Sequence, residues 1–267
     1  MNTYNLHQRS AEPKLPNLWI GFLPVAGGVW LHGSEINRQI MIAIHARPHM
    51  DPWVWDWMTQ WGDAGLMLAL LLLWTRSQPA QVALLLKTWL LGAVLSQTLK
   101  RCLEVPRPGA ILDLSLWGLS VSPPTFGHSM PSGHAWVAAS ALALVLRAGH
   151  RMHTAWIISL SGLSLMVAWS RVAVGAHWPA DVLVGWGLGW AVVWLANQWE
   201  QRQPWELWMD ARPGSELIAG LSVSLMGYCL CWPAESEGAR IAFWLGTAIS
   251  LYCSFLQIRM IRRRRSC

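Results

Sequence analysis

Charged side chains are scarce in this sequence. Only 13% of its 267 residues are Asp, Glu, Lys or Arg, against 54% in the hydrophobic set, and the mean hydropathy is +0.31. A soluble domain of this length normally carries about twice that charged fraction. Because the apolar residues are also bunched into runs, disorder and a polar-surfaced globule are both poor interpretations. The composition indicates an integral membrane protein.

Tyrosine, phenylalanine and cysteine are also few. The chain has 3 Tyr, 4 Phe and 5 Cys, but 21 Trp. An odd number of mostly distant cysteines gives neither a disulfide framework nor a zinc-binding pattern. Tryptophan prefers the headgroup level of a bilayer, where its ring is apolar and its N–H stays hydrated. The aromatic mix therefore also favours a membrane protein.

Positive charge is concentrated at the C-terminal end. The net charge is +6, which by itself is compatible with nucleic-acid binding. The densest cluster, however, is Arg259 with the arginines at 262–265, directly after an apolar segment. A basic cluster beside a membrane span is typical of contact with anionic lipid on the cytoplasmic face. We therefore predict the lipid bilayer, and no nucleic acid, as a partner.

Eight segments are apolar enough to be interpreted as membrane-spanning helices, which need about 20 residues each. They lie at 18–32, 57–75, 81–103, 132–148, 154–174, 179–198, 215–232 and 239–258. A further segment, 36–44, has apolar residues at helical spacing and is predicted to lie along the interface. The predicted fold class is therefore all-α, a polytopic membrane helix bundle.

The distribution of Lys and Arg predicts the orientation in a cell membrane of the bacterial inner-membrane type. A cytoplasmic N-terminus puts twelve of the 20 cations on inner segments and seven on outer ones, in agreement with the positive-inside rule. Residues 1–17 then form a cytoplasmic segment, 197–215 a cytoplasmic loop, and 259–267 a basic cytoplasmic tail. The remaining cation, Lys87, lies inside span three and is expected to extend its ammonium group to the inner interface.

Three outer cations oppose that charge bias and need a reason. Lys100, Arg107 and Arg171 come from separate segments and would repel one another unless an anion lay between them. A phosphate group fits, since Arg pairs with its oxygens bidentately and Lys adds a point charge. Ser132 and Gly133 open span four, where free backbone N–H groups favour an anion and glycine lets a ligand approach the backbone.

Two histidines accompany these cations on the outer side. His177 and Asp181 are four residues apart at a predicted helix start, which places both side chains on one face. The carboxylate would hold one imidazole nitrogen and leave the other as a nucleophile. His134, at the start of span four, is placed to protonate a leaving oxygen. These residues predict a phosphoryl-transfer site that needs neither a metal nor a cofactor, and His128 is a weaker candidate for its rim.

The pattern resembles the type 2 phosphatidic acid phosphatase superfamily, whose signatures are Lys-x6-Arg-Pro, Pro-Ser-Gly-His and Ser-Arg-x5-His-x3-Asp. All three are complete here, within 100–108, 131–134 and 170–181. The resemblance implies that 18–198 form a six-helix membrane phosphatase core, with two additional transmembrane helices and their preceding loop in 199–258. It also implies that His177 forms a phosphohistidine, oriented by Asp181, while His134 donates a proton to the leaving group.

The resemblance further implies phosphate binding by five residues. These are Lys100, Arg107, Ser132, Gly133 and Arg171. The expected activity is hydrolysis of a lipid phosphomonoester or diphosphate, with undecaprenyl diphosphate as the first candidate and phosphatidylglycerol phosphate or phosphatidate next. Residues 104–130, which contain several Pro and Gly, are expected to cover the site as an irregular lid. Within them, 114–119 could form a short interfacial turn.

Three alternative functions remain open. A lipid rather than water could accept the phosphoryl group, which would make the protein a phosphotransferase. A transporter or scramblase could keep the fold without chemistry, although complete motifs argue against it. A vanadate-dependent haloperoxidase would share the anion site, but its known members are soluble. Asp63, in the outer half of span two, is either a partner of the site or an interfacial carboxylate, and we favour the second interpretation.

Overall fold

The computed structural model describes residues 19–46, 51–113, 124–148 and 152–265. Over these residues the chain is helical, apart from turns and one isolated antiparallel bridge between Pro106 and His128. The helices, in chain order, are α1 (Trp19–His32), α2 (Glu35–His45), α3 (Pro52–Gln60), α4 (Ala64–Thr75), α5 (Pro79–Leu103), α6 (Pro108–Ile111), α7 (Gly133–Ala148), α8 (Thr154–Ala173), α9 (Pro179–Arg202), α10 (Glu206–Asp210), α11 (Arg212–Cys231) and α12 (Glu237–Arg265).

Each predicted span contains an apolar helix. In the described part of the chain, α5, α8, α9, α11 and α12 are long and apolar enough to cross a membrane. The other three, α1, α4 and α7, are shorter, with 14, 12 and 16 residues. The all-α, polytopic membrane class is confirmed, and the segment predicted at 36–44 is the helix α2.

Predicted span two is not one continuous helix, so that prediction was wrong. α3 and α4 are separate helices joined by a turn at 61–63, which we call the elbow. The break has a local cause, because the Asp63 carboxylate accepts a hydrogen bond from the Leu66 N–H at 2.9 Å and caps the first turn of α4. Average hydropathy does not register such a turn, since the residues on both sides are apolar.

The stretch 197–215, predicted to be a loop, is also mostly helical. α9 continues to Arg202, α10 covers Glu206–Asp210, and α11 begins at Arg212. Similarly, α12 continues to Arg265, so the basic tail begins as helix. Gln, Glu and Arg are good helix formers, and the polar composition of these segments therefore did not mark the end of a helix.

Lys87 has partners that the sequence did not predict. Its side chain is fully buried, and its ammonium group donates to the Glu200 carboxylate and, at 2.5 Å, to the Gln203 carbonyl oxygen. The ring centroids of Trp199 and Trp205 lie 4.9 and 4.7 Å from the same nitrogen. The charge is thus neutralised within the bundle by an ion pair and two aromatic faces.

Helix α9 holds the bundle together, since it packs against α1, α5 and α7. Glycines permit the close approach of α7: a Cβ at Gly185 would lie 2.5 Å from the Ser132 carbonyl oxygen, and one at Gly189 would lie 2.5 Å from the Trp136 carbonyl oxygen. Small residues at a helix crossing let two backbones come this near. The crossing places the first turn of α7 beside the first turn of α9.

Candidate active site

The three motif stretches meet at one end of the bundle. The Ser132 N–H, just before α7, donates to the Asp181 carbonyl oxygen on α9 at 3.0 Å. The Arg107 Nη1 donates to the Ala176 carbonyl oxygen at 3.0 Å, which ties the end of α5 to the loop between α8 and α9. All eight residues predicted for the site lie in the described part of the chain. They are Lys100, Arg107, Ser132, Gly133, His134, Arg171, His177 and Asp181.

The loop after α8 places His177 relative to Arg171. Gly175 has φ +71°, a left-handed conformation that favours glycine. The Arg171 carbonyl oxygen accepts from the N–H groups of Ala176 and His177 at 3.0 and 3.1 Å, and the Gly175 N–H donates to the Val172 carbonyl oxygen at 2.9 Å. This is the helix-ending arrangement known as a Schellman motif. The five-residue spacing between Arg171 and His177 is therefore the length of one such helix end.

A buried serine joins the predicted histidine and carboxylate. His177 Nδ1 lies 3.5 Å from Asp181 Oδ2 and 3.3 Å from Ser129 Oγ, and the Ser129 hydroxyl donates to Asp181 Oδ2. The Trp178 N–H donates to the same carboxylate oxygen at 2.8 Å. His177, Ser129 and Asp181 are each at most 3% exposed. With Nδ1 protonated, His177 faces this acceptor pair and leaves the lone pair of Nε2 free for nucleophilic attack.

Burial and nearby positive charge favour the neutral form of the His177 imidazole. Burial, reinforced by the positive charges of Arg171, Arg107 and Lys100, holds the pKa of His177 well below its ordinary value. The same cations favour an anion beside the ring. The site therefore combines an uncharged imidazole with an environment that attracts negative charge.

The cations are fixed by backbone carbonyl groups. Lys100 Nζ donates to the His128 carbonyl oxygen at 2.9 Å, and Arg107 Nε donates to the Phe126 carbonyl oxygen at 2.9 Å. Burial lowers the pKa of Arg107, which the Asp181 carboxylate opposes; an arginine nevertheless remains charged. His128 thus contributes its backbone to the predicted rim of the site.

Two buried hydrogen-bond donors of the site have unused hydrogen-bonding capacity. Within the described residues, the Ser132 hydroxyl and Arg171 Nε have no hydrogen-bond partner. Buried donors without partners are costly. Both groups lie at the predicted phosphate site, where phosphate oxygens would accept from them. The same described part contains no cluster of three His, Cys, Asp or Glu residues that would hold a metal ion.

Gly133 begins α7 beside these donors. A Cβ built on Gly133 would meet no atom within 4 Å, so packing within the protein does not require glycine at this position. His134 follows directly, and Gly62 of the elbow packs against it so closely that a Cβ on Gly62 would lie 2.6 Å from the His134 Cβ. The elbow therefore packs directly against His134.

Gly133→Ala is expected to leave the protein folded and to lower kcat/KM for phosphate release by about 100-fold, because the new methyl group would displace a phosphate that approaches the backbone. Gly162→Ala is the matched control, since Gly162 is an exposed glycine in α8 whose Cβ would also meet nothing within 4 Å. Equal activity of the two variants would show that no anion approaches the Gly133 backbone.

Three residues near the site were missed or misjudged from the sequence. Ser129 belongs to no motif, and Thr59, which accepts from Arg171 Nη1, comes from α3, which lies 112 residues away in the chain. Asp63 is not an interfacial carboxylate: it is buried, and its Oδ2 accepts from the Tyr228 hydroxyl at 2.9 Å. Only the fold shows these pairings, because each one joins distant segments.

The structure describes part of the predicted lid, 104–130. Residues 104–113 and 124–130 are largely irregular, with one turn of helix in α6 and a backbone bond from the Ser129 N–H to the Val105 carbonyl oxygen at 2.7 Å. Trp178 Nε1 donates to the Pro106 carbonyl oxygen at 2.9 Å, which attaches the first part of this segment to the site. The interfacial turn predicted at 114–119 lies outside the described residues.

The fold and the site together define a polytopic helical membrane protein with a histidine–carboxylate pair and a group of cations at one end of the bundle. Residues 81–205 match the sequence model of the PAP2 superfamily, and this segment belongs to that superfamily. The segment contains all three motifs, so the resemblance that they indicated is confirmed. It covers α5–α9, just under half of the chain, and leaves α1–α4 and α10–α12 outside.

Two individual proteins are similar to this chain. The undecaprenyl-diphosphatase of Sulfolobus acidocaldarius is 31% identical over 137 residues, which cover 51% of this chain and 63% of that protein. The match therefore spans less than two thirds of that relative's length. A solved structure, a transmembrane phosphatidylglycerolphosphate phosphatase of the PAP2 type from Bacillus subtilis, is 20% identical, with a TM-score of 0.48 over 70% of this chain and 95% of that one.

Proposed function

We propose that this protein is a membrane lipid phosphatase that hydrolyses a phosphomonoester or diphosphate through a phosphohistidine on His177. The observation that carries the proposal is the buried contact of the His177 imidazole with Ser129 and Asp181, in an environment made positive by Lys100, Arg107 and Arg171. A neutral imidazole with one nitrogen held and the other free is a nucleophile, and the cations stabilise the charge on phosphate oxygens.

In the first step, His177 Nε2 attacks the phosphorus atom. The N–P bond forms as the bond from phosphorus to the leaving oxygen breaks in line with it. His134, in its protonated form, gives its proton to that oxygen, so the lipid leaves as an alcohol or as a monophosphate. Asp181 and Ser129 keep the His177 Nδ1 proton in place and stabilise the positive charge that the ring acquires.

In the second step, water attacks the phosphohistidine. His134, now neutral, takes a proton from the water as the new P–O bond forms and the N–P bond breaks. Inorganic phosphate leaves, and His177 returns to its neutral form. The cationic side chains and the first turn of α7 hold the three equatorial oxygens in both steps.

The position of the site supports a lipid substrate. The cluster lies at the ends of apolar helices, where a phosphorylated head group meets the protein while its tail stays in hydrocarbon. Undecaprenyl diphosphate is the first candidate, in keeping with the activity named for the relative from Sulfolobus acidocaldarius. Phosphatidylglycerol phosphate and phosphatidate come next.

The test is phosphate release from a panel of these lipids by the purified protein in detergent, with a chelator present. The proposal expects release from at least one lipid, at an undiminished rate in chelator. Transfer of phosphate to an added lipid alcohol without release would identify a phosphotransferase. No reaction of a folded protein with any lipid would leave a transporter or scramblase as the better interpretation.

We place the site on the outer face of the membrane, with both termini in the cytoplasm, because this orientation puts the majority of the cations inside. Right-side-out vesicles should then hydrolyse externally added lipid phosphate without permeabilisation. Activity that appears only after permeabilisation would reverse the orientation.

The lowered pKa of His177 predicts how the rate depends on pH. Since the imidazole in the free enzyme stays neutral as the pH falls below the ordinary value of about 6.5, the nucleophile remains available in mild acid. The pH dependence of kcat/KM reports the free enzyme. After correction for ionisation of the substrate phosphate, its acid limb should therefore lie below that value, and an acid limb at or above it would contradict the assignment of His177.

A further inference from the structure

The two C-terminal helices lie outside the segment that matches the PAP2 superfamily. α11 and α12, which we call the C-terminal hairpin, pack against each other and against α4, and α12 also contacts α3. α3 and α4 flank the elbow at 61–63 and likewise lie outside the matched segment. α3 and α4 are thus the helices through which the hairpin contacts the elbow.

The α3–elbow–α4 segment contacts two residues of the site. Arg171 Nη1 donates to the Thr59 hydroxyl at the end of α3. Gly62 in the elbow packs directly on the His134 Cβ. A shift of the elbow would therefore displace both a phosphate-binding guanidinium group and the proposed proton donor.

Tyr228 of the hairpin holds the elbow through its hydroxyl group. Its hydroxyl donates to Asp63 Oδ2 at 2.9 Å, while Asp63 Oδ1 caps α4 through the Leu66 N–H. The ring has little freedom, because a Cβ on Gly65 would lie 2.4 Å from it and the Trp232 ring centroid is 5.0 Å away. Both oxygens of the elbow carboxylate are thus held.

Ser236 makes a second, similar attachment. Its hydroxyl donates to Asp56 Oδ2 on α3 and accepts from the Ala239 N–H at 3.0 Å, which caps α12. Asp56 is buried, as Asp63 is. Both carboxylates attract the Arg171 charge, so the two hairpin hydroxyls hold the anions that balance this guanidinium group.

We propose that the C-terminal hairpin positions the reacting groups: Tyr228 through Asp63, and Ser236 through Asp56, hold the elbow that sets Arg171 and His134. The inference rests on the proposed phosphatase function. Tyr228 and Ser236 are positioning residues, since they contact neither the phosphate site nor His177.

The test compares Tyr228→Phe with Tyr252→Phe, a matched control because Tyr252 is exposed on α12. Two soluble substrates separate the roles: an alkyl phosphate, whose leaving oxygen needs a proton, and p-nitrophenyl phosphate, whose leaving oxygen needs none. Both esters share the second step, so kcat/KM is compared, which reports only the steps up to the transfer of phosphate to His177. Since a well-placed general acid contributes 10²–10⁴-fold, we expect Tyr228→Phe to lower kcat/KM about tenfold for the alkyl ester and less than about threefold for the aryl ester. Tyr252→Phe should change neither rate.

Ser236 gives an independent pair of variants. Ser236→Ala should reproduce the selective loss with the alkyl ester, and Ser236→Thr, which keeps the hydroxyl, should restore the rate. Melting temperatures of all variants show whether each one is folded. Identical rates for Tyr228→Phe and Tyr252→Phe would overturn the inference, and so would an equal loss with both esters accompanied by a lower melting temperature.

Failure of the proposed phosphatase function can be distinguished from failure of the positioning role. If the wild-type protein releases phosphate from neither ester, the phosphatase proposal fails. The affinity for orthovanadate, an analogue of phosphate, then tests whether the hairpin positions Arg171. Weaker vanadate binding by Tyr228→Phe than by Tyr252→Phe would support the positioning of Arg171, and equal affinities would overturn it.

Discussion

His177→Ala is expected to lower the rate of phosphate release by about 10⁵-fold or more, because removing the nucleophile of a covalent mechanism eliminates the route rather than weakening one contact. The cations and the first turn of α7 remain, so the variant should still bind lipid phosphate. The measurement is phosphate release per folded protein in detergent, together with the affinity for orthovanadate.

His153→Ala is the control for this experiment. His153 is an exposed histidine that precedes α8, at the opposite end of the helix that carries Arg171. Its replacement should leave the rate unchanged. A His177→Ala protein that keeps more than about a hundredth of the wild-type rate would exclude His177 as the nucleophile, since non-covalent groups alone account for a far smaller rate.

Asp181→Asn is expected to lower kcat by about 10³-fold or more. The carboxylate accepts from the Ser129 hydroxyl and the Trp178 N–H and faces His177 Nδ1. An amide keeps the size of the side chain but removes the negative charge that favours the Nδ1–H tautomer and stabilises the imidazolium formed during attack. Steady-state kinetics with the best lipid substrate measures the effect, and KM should change far less than kcat.

Ser129→Ala supplies the graded comparison. It removes the hydroxyl between His177 and Asp181 but leaves the carboxylate 3.5 Å from Nδ1, so we expect a loss of about tenfold. A larger loss in Ser129→Ala than in Asp181→Asn would mean that the serine, and not the carboxylate, holds the imidazole.

The features predicted from the sequence are those whose signal is local. Apolar runs located the main helices of the bundle, except for the break in predicted span two. Spacing within single motifs placed His177 four residues before Asp181 and set Arg171 at a helix end. The three motifs are brought together because they all lie at one end of adjacent helices, which the charge bias of the loops had already indicated. No long-range pairing was needed for these conclusions.

The features that the sequence did not reveal depend on contacts between distant segments. The ion pair of Lys87 was not predicted, because its partner Glu200 lies 113 residues away. Asp63 was expected to be interfacial, but Tyr228, 165 residues away, holds it inside the bundle. Hydropathy did not reveal the elbow, because a capped turn changes the chain direction without changing polarity. It also did not reveal the helical parts of 197–215, because polar residues can form helices. Ser129 belongs to no sequence motif, and only the structure shows its contact with His177.

The central claim is that the phosphoryl group passes through His177, and the most direct measurement is a search for phosphate bound to that residue during turnover. The protein is mixed with its best lipid substrate, quenched in base, in which phosphohistidine survives, and digested for mass spectrometry. We predict a base-stable, acid-labile phosphoryl group on His177 in the wild-type protein and none in His177→Ala. Rapid phosphate release by a wild-type protein that never carries phosphate on His177 would contradict the mechanism and favour direct attack by water.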